Sequence, residues 1–413
     1  MIRGLIGEHL GHSYSKRIHE ELGGYPYQLI EVNREELDTL MKERDFDALN
    51  VTIPYKQTVM DYLDEIDPKA QRIGAVNTIV NRQGKLIGYN TDYDGFEFML
   101  KRIRIQIRGR KVLLLGNGGA AKAAEAVLQD MGAGEIIKVK KNPSEQTLTY
   151  SQAYSVHPDA QVIVNASPVG MFPDIEECPI DLSCFRRLES VADVVYNPSR
   201  TALLVEAEKR GCRIATGLSM LVYQAVVAIE KFTGETVSSE KTAEMIRTLY
   251  HEKQNLVLIG MPGSGKSTIA KQLAGMISRN AIDLDELIEQ EIGCTISEYF
   301  RNHSEKQFRK IESRILKQAA FTTGQIISTG GGVIKDWNNV RRLRQTGKVY
   351  FLDRDIELLA IDDKRPLSMD RASLKKLYDE RIDLYRQACD RQIVNDGTPQ
   401  ACCDEIYRDW MEH

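Results

Sequence analysis

Short apolar runs alternate with stretches of helical spacing along the whole chain. Between residues 1 and 100, strand-like runs at Arg3–Gly7, Tyr27–Val32, Ala48–Ile53 and Ala75–Val80 are separated by helical stretches such as Arg34–Arg44. This alternation predicts an α/β layer, a sheet with helices on its faces. A second series begins at Lys111–Leu115, turns on glycines, and enters a helical stretch at Ala120–Met131. Further strands are predicted at Ile136–Val139, Val162–Asn165 and Val191–Val195. Strands spaced by helices in this way imply a parallel sheet. Residues 217–252 read as two helices, and the strand Asn255–Ile259 follows almost at once. A third α/β block is therefore predicted, joined at about 252–254 by a connection too short to be a flexible linker.

Length agrees with several domains. The chain has 413 residues, and about 100–200 residues per domain gives two to four. Hydrophobic residues are 42% and charged residues 28% of the total, the balance of an ordinary globular protein. The longest apolar runs, such as Val112–Leu115 and Leu256–Ile259, fall far short of the roughly 20 residues a bilayer requires. The segment Met1–His9 has no long apolar region or small-residue cleavage site and reads as a strand. No membrane partner is expected. Fifty-five basic residues stand against 59 acidic ones, so the basic excess of a nucleic-acid binder is missing. Seven scattered cysteines without a C-x-x-C pair are expected to be reduced thiols in a cytoplasmic protein. His9 and His12 lack a matching ligand set and are assigned no metal.

Two glycine turns carry the chemistry. The second, Gly260-Met-Pro-Gly-Ser-Gly-Lys-Ser267, lies between a predicted strand and a predicted helix at Ser267–Met276, the context of a P-loop. In such a turn the backbone of Gly260, Gly263, Ser264, Gly265 and Thr268 wraps the phosphates of ATP at a helix N-terminus. Lys266 meets the β/γ-phosphates and Ser267 ligates Mg²⁺.

Downstream, Asp283 and Asp285 sit two apart where a strand ends, and either has a simpler use as a helix cap. Arg309 lies in Glu305–Glu312, Thr329-Gly-Gly-Gly332 follows the strand Gln325–Ser328, Arg365-Pro-Leu367 forms a polar stretch, and Arg381 lies in Glu380–Tyr385. In this order after a P-loop, residues 254–413 resemble shikimate kinase. The resemblance implies that Asp285, Arg309, Gly331 and Arg381 hold shikimate, the arginines facing its carboxylate. Asp285 would orient or deprotonate the attacking hydroxyl, and Asp283 would hold Mg²⁺ through water. Lys266 and the lid residue Arg365 would neutralise the transferring phosphoryl group. The stretch 353–364 is shorter than the family pattern.

The first turn, Gly116-Asn-Gly-Gly-Ala-Ala121, follows Val112–Leu115 and opens a helix, with Ala121 at the third fingerprint position. Gly116, Gly118, Gly119 and Ala120 are its candidate cofactor contacts. The next strand ends in Lys140-Lys141, where an NAD site usually presents an acidic residue; a cationic pair suits the 2′-phosphate of NADP. Around this turn stand Gly11–Ser15, Asn50–Lys56, Gly74–Thr78, Asn90–Asp92, Asn165–Met171, Asp193–Pro198 and Gly217–Ala225. This ordered set resembles shikimate dehydrogenase over residues 1–250.

Reduction of a ketone requires a hydride from a nicotinamide and a proton donor at the carbonyl oxygen. Lys56 and Asp92 are a suitable acid/base pair. Ser13, Ser15, Thr52, Asn77 and Gln224 are the hydrogen-bonding types that a polyhydroxylated acid demands. The resemblance makes them substrate ligands and puts Ala166, Met171, Gly217 and Met220 on the cofactor side.

The expected organisation is α/β throughout. Residues 1–105 form a substrate domain on which helices 218–252 pack back. Residues 106–217 form a Rossmann-like NADP domain, and 254–413 a P-loop kinase with a parallel sheet. The two resemblances imply a cytoplasmic, bifunctional enzyme that uses NADP(H), ATP and Mg²⁺ on 3-dehydroshikimate and shikimate. Monomer and homodimer both remain open. One rival is a dehydrogenase with a degenerate ATP-sensing module, although Lys266, Asp285, Arg309 and Arg381 are all present. A second replaces shikimate and NADP by quinate and NAD.

Overall fold

The computed structural model describes residues 2–11, 13–142, 147–359 and 371–412. It divides into two compact units, residues 1–248 and 249–413. Arg365, the expected lid residue, lies outside the described residues.

The first unit holds two sheets. Strands β1 (Arg3–Gly7), β2 (Gln28–Glu31), β3 (Ala48–Val51), β4 (Glu65–Ile66), β5 (Thr78–Arg82) and β6 (Lys85–Tyr89) pair in the order β2-β1-β3-β5-β6-β4. β1, β2 and β3 run parallel, whereas β5 is antiparallel to both β3 and β6. The sheet is therefore mixed. Gln83 and Gly84, both at positive φ (55° and 88°), join β5 to β6 in the tight two-residue turn that matches strand twist. Side chains alternate faces as the strand period requires: Ile6, Leu49 and Ile79 enter one core, and Leu5, Ala48 and Val80 the other. The second of these cores also takes Ala228 and Phe232 from the helix Gly217–Thr233.

The second sheet is wholly parallel. β7 (Lys111–Leu115), β8 (Glu135–Val139), β9 (Val162–Asn165), β10 (Ser190–Asp193) and β11 (Arg213–Thr216) lie in the order β11-β10-β9-β7-β8. Val112 and Leu114 point into one core, Leu113 and Leu115 into the other, so both faces are covered. From the edge strand β8 the chain crosses back over β7 to β9, so the strand order reverses between β7 and β9. Sheets of this kind bind ligands at such a switch point, beyond the strand carboxyl ends.

In the second unit β12 (Asn255–Ile259), β13 (Ala281–Asp283), β14 (Ile326–Ser328), β15 (Gly347–Asp353) and β16 (Arg391–Val394) form a parallel sheet in the order β13-β14-β12-β15-β16. Leu256 and Leu258 face one core, Val257 and Ile259 the other. Among the described residues, no helix is long and apolar enough to cross a membrane.

Candidate active sites

Sheet direction brings the first set of polar residues to one end. β1 and β3 finish there, the antiparallel β5 starts there, and β6 finishes beside it. Thr52 follows β3, Asn77 precedes β5, and Asn90–Asp92 follow β6. Lys56 Nζ lies 2.6 Å from Asp92 Oδ2, with both side chains largely shielded (20% and 9% exposed). Asn77 Oδ1 accepts from Thr91 N at 2.8 Å, its Nδ2 donates to Thr91 Oγ1 at 3.2 Å, and Thr91 Oγ1 lies 3.5 Å from Gln224 Oε1. Ser13 caps the helix Tyr14–Gly23, its hydroxyl accepting from Ser15 N at 3.2 Å.

Gln224 reaches this end because its helix lies against Asp92–Arg102 at Gly95. A methyl group at Gly95 would stand 2.6 Å from Met220 O. Beneath the site, Tyr27 Oη donates to Asn50 Oδ1 at 2.7 Å, and Asn50 Nδ2 donates to Thr78 Oγ1 at 3.1 Å. This buried relay fixes the strand ends that carry Thr52 and Asn77.

The first glycine turn lies at the β7/β9 switch point. Gly116 has φ of +106°, and a methyl group there would lie 2.7 Å from Ala166 O. Glycine alone permits that approach. The turn also meets Lys56, whose Cδ would stand 3.3 Å from a methyl group at Gly119. The acid/base pair thus borders the nucleotide turn. Gly116 N donates to Val139 O at 3.1 Å, which sets the turn beside the end of β8 and the half-buried Lys140 and exposed Lys141 that follow. Met171 is 46% exposed and Met220 is buried. A methyl group at Gly217 would collide with the carbonyl oxygen of Val194. This narrow, Cβ-free cradle suits a dinucleotide, and the lysines suit a 2′-phosphate. Replacing Lys140-Lys141 by an Asp-containing pair is expected to weaken NADP far more than NAD, measured as the ratio of their dissociation constants. An unchanged ratio would reduce the lysines to surface charge.

Asp193, fully buried at the end of β10, holds the other wall. Its carboxylate accepts from Asn165 Nδ2 at 3.0 Å, Val195 N at 3.0 Å and Thr201 Oγ1 at 2.7 Å. Burial pushes the carboxyl up to about 6 despite these donors. The folded state therefore binds this proton more tightly than the unfolded chain does. The resulting stabilisation is complete below the unfolded value near 3.8 and is lost as pH rises towards 6. A gap of that width corresponds to about 3 kcal/mol. Relative to Asp193→Asn, the wild type is expected to lose stability between pH 4 and 7 in urea titrations. A pH-independent difference would contradict this assignment.

In the second unit β12 runs into the P-loop, and Gly265 (φ +90°) caps the helix Lys266–Ile277. Lys266 is 9% exposed, with Nζ donating to the carbonyls of Gly260 (3.0 Å) and Met261 (2.9 Å). The loop thus holds the ammonium where phosphate oxygens would take it over. Ser267 Oγ donates to Asp283 Oδ2 at 2.5 Å, and Ser328 Oγ donates to the same oxygen at 3.0 Å. Asp283 also caps the helix Leu284–Ile292 through Asp285 N. Its role as a cap and its place beside Ser267 coexist. A hydroxyl and a carboxylate at one point suit Mg²⁺, which keeps several waters and phosphate oxygens as further ligands.

Each glycine of Gly330–Gly332 meets a different neighbour. A methyl group at Gly330 would lie 2.7 Å from Asp285 Oδ1, and one at Gly331 would lie 3.0 Å from Pro262 Cδ. At Gly332 it would strike the Arg309 guanidinium. The carbonyl of Gly331 accepts from Arg381 Nη1 at 2.8 Å and Tyr385 Oη at 2.5 Å. Asp285, Arg309 and Arg381 therefore converge on one strip beside the P-loop. Arg309 is held by Glu312, whose two oxygens accept from Nη1 at 2.9 and 2.8 Å. Burial works against the Arg309 charge, and Glu312 and Glu305 more than offset it. Burial likewise pushes the Glu312 carboxyl up, against the pull of Arg309. The sequence reading missed Glu312 and Tyr385. Their signals were helical spacing, three residues after Arg309 and four after Arg381.

A parallel sheet with a glycine cradle at its switch point, followed by a P-loop sheet with an acid–arginine strip, defines a nicotinamide-dependent oxidoreductase joined to a small-molecule kinase. Comparison with known proteins narrows both. Residues 5–79 match the family model described as shikimate dehydrogenase substrate binding domain, and residues 262–411 match that of shikimate kinase. The NADP⁺ shikimate dehydrogenase of Bacillus cereus strain AH187 is 35% identical over 266 residues, covering 59% of this chain and 96% of its own length. That of Clostridium beijerinckii is 39% identical over 246 residues, covering 55% and 90%. Among solved structures, a chorismate mutase/shikimate 5-dehydrogenase fusion protein from Clostridium acetobutylicum superposes with a TM-score of 0.57 at 37% identity, covering 60% of this chain and 96% of that one. Shikimate 5-dehydrogenase from Thermus thermophilus, in complex with NADP(H) and shikimate, gives 0.54 at 32% identity, covering 60% and 99%. The chain belongs to the shikimate dehydrogenase family and carries a shikimate kinase domain behind it. It is a bifunctional shikimate-pathway enzyme whose cofactors are NADP, ATP and Mg²⁺.

Proposed function

We propose that residues 1–252 reduce 3-dehydroshikimate to shikimate with NADPH, and that residues 254–413 then phosphorylate its 3-hydroxyl with MgATP, in the cytoplasm. Within the first part, 1–105 carry the substrate and 106–217 the dinucleotide. The observation that supports this most is the Lys56–Asp92 pair lying against the Gly119 turn, since a proton donor beside the nucleotide turn is what reduction of a ketone by a nicotinamide requires. Bound NADPH supplies the hydride and MgATP the phosphoryl group.

The chain's own residues do the rest. The Lys56 ammonium donates its proton to the carbonyl oxygen as the carbon gains hydride, and Asp92 holds that ammonium in place. Ser13, Ser15, Thr52, Asn77 and Gln224 hold the hydroxyls and carboxylate of the substrate. In the kinase site Arg309, Arg381 and the Gly331 backbone hold shikimate. Asp285 accepts the hydrogen of the attacking hydroxyl, and Lys266 takes up the charge of the phosphates. Asp283 and Ser267 hold the metal.

One coupled assay tests the whole reading. 3-Dehydroshikimate, NADPH and MgATP should give shikimate 3-phosphate, with absorbance at 340 nm falling as the first step proceeds. Quinate with NAD as the faster pair, or shikimate accumulating without phosphorylation, would overturn one half or the other.

A further inference from the structure

Arg354 follows β15 directly, at the carboxyl end of the strand that neighbours β12. Parallel sheets bind their ligands at those ends. The two strand ends are in contact, since a methyl group at Gly260 would lie 2.8 Å from Leu352 O. A methyl group at Gly265 would stand 3.2 Å from Asn395 Nδ2 and 3.8 Å from Arg354 Nη1. The guanidinium therefore lies over the last turn of the phosphate loop, beside the N-terminus of the helix Lys266–Ile277.

Its bonding is unusual for an arginine among carboxylates. Nε is buried without a hydrogen-bond partner, and among the described residues Arg354 forms no ion pair. The acids on either side are engaged elsewhere. Asp353 Oδ2 accepts from Gln392 Nε2 at 2.7 Å, and Asp355 Oδ1 accepts from Glu357 N at 2.8 Å. Asn395 fixes the geometry between them. Its backbone N–H donates to Asp353 O at 2.7 Å, and its buried Nδ2 donates to Ser264 O at 2.7 Å. A shielded donor left unsatisfied is costly, and a cation held beside a phosphate cradle meets its partner when the nucleotide arrives.

We propose that Arg354 is a nucleotide-binding residue whose guanidinium pairs with the polyphosphate of ATP beside Gly265, with Asn395 as the residue that positions it. The inference rests on the kinase reading of the second unit. Phosphorylation of shikimate by the wild type tests that reading independently.

The test uses the full chain with Arg354→Ala and Arg354→Lys. At saturating shikimate, Arg354→Ala should raise the KM for ATP about tenfold to a hundredfold, the range of a charge-assisted hydrogen bond. Arg354→Lys should recover part of that loss, and the KM for shikimate and the reductase rate should not move. Inorganic tripolyphosphate should protect the wild type against thermal unfolding more than it protects Arg354→Ala, whereas adenosine should act equally on both. An unchanged KM for ATP overturns the proposal. So does a loss that follows adenosine and spares tripolyphosphate, which would assign the guanidinium to the base. If Arg354→Ala fails to fold, Arg354→Gln, which keeps the aliphatic stem and a polar end and removes the charge, is read in the same way.

Discussion

Lys56→Ala should lower reductase turnover about 10²–10⁴-fold, the usual contribution of a positioned general acid or base. The ammonium held 2.6 Å from Asp92 is the proton donor proposed for the alcohol oxygen. Alanine also leaves a shielded carboxylate without its counter-charge, which itself destabilises. Lys56→Met, of similar volume, shares that loss without the cavity, and the unfolding midpoints of both variants show how far turnover falls beyond any loss of folded enzyme. Affinity for NADP(H) and kinase activity should stay near normal in both variants. Turnover above about half of wild type would remove Lys56 from the mechanism.

Lys266→Ala should reduce phosphorylation by about 10²–10³-fold, the cost of deleting one preorganised donor from a transition state. The effect should be confined to the second unit. In the wild type the Gly260 and Met261 carbonyls hold this ammonium at 3.0 and 2.9 Å, so the charge is in place before nucleotide binds. Shikimate-dependent release of ADP and oxidation of NADPH, followed in one sample, separate the two activities. Normal phosphorylation by this variant would contradict the P-loop assignment.

Features carried by contiguous residues were legible in the sequence. The P-loop is one unbroken turn, and its strand and helix follow from apolar spacing on either side. Four parallel strands of the second sheet likewise announce themselves as short apolar runs, whereas β11, Arg213–Thr216, carries too few apolar residues in a row and was not expected. Periodicity does not disclose pairing, so the antiparallel β5–β6 hairpin escaped notice. Its turn, Gln83-Gly84, is a weaker signal than an asparagine–glycine pair. The strand expected over Ala75–Val80 instead begins at Thr78, and Asn77 is left in the connection that faces the site. Residues that act through others were harder still. Asn50, inside a predicted strand, and Thr91 look like ordinary polar groups until the sheet brings them to the end that carries Thr52 and Asn77. Arg354 reads as a surface arginine between two acids, and only the approach of β15 to the P-loop changes that. Glu312 is the intermediate case, because helical spacing pairs it with Arg309 once the helix is accepted.

The helix Gly217–Thr233 has a consequence for how this enzyme tolerates change. It starts from the nucleotide sheet, wedged at Gly217 against Val194, and ends its useful span at Gln224 beside Thr91. Met220 and Gln224 are one turn apart on the same face, about 6 Å along the axis at 1.5 Å per residue. On the proposed reading, the helix acts as a gauge block between the place where a reductant would dock and the place where its acceptor would be held. Exchanging a side chain on the block alters the fit at one end. Adding a single residue between 220 and 224 would turn everything beyond it by about 100°, so in a library of random insertions this stretch should be empty of active survivors even where substitutions abound.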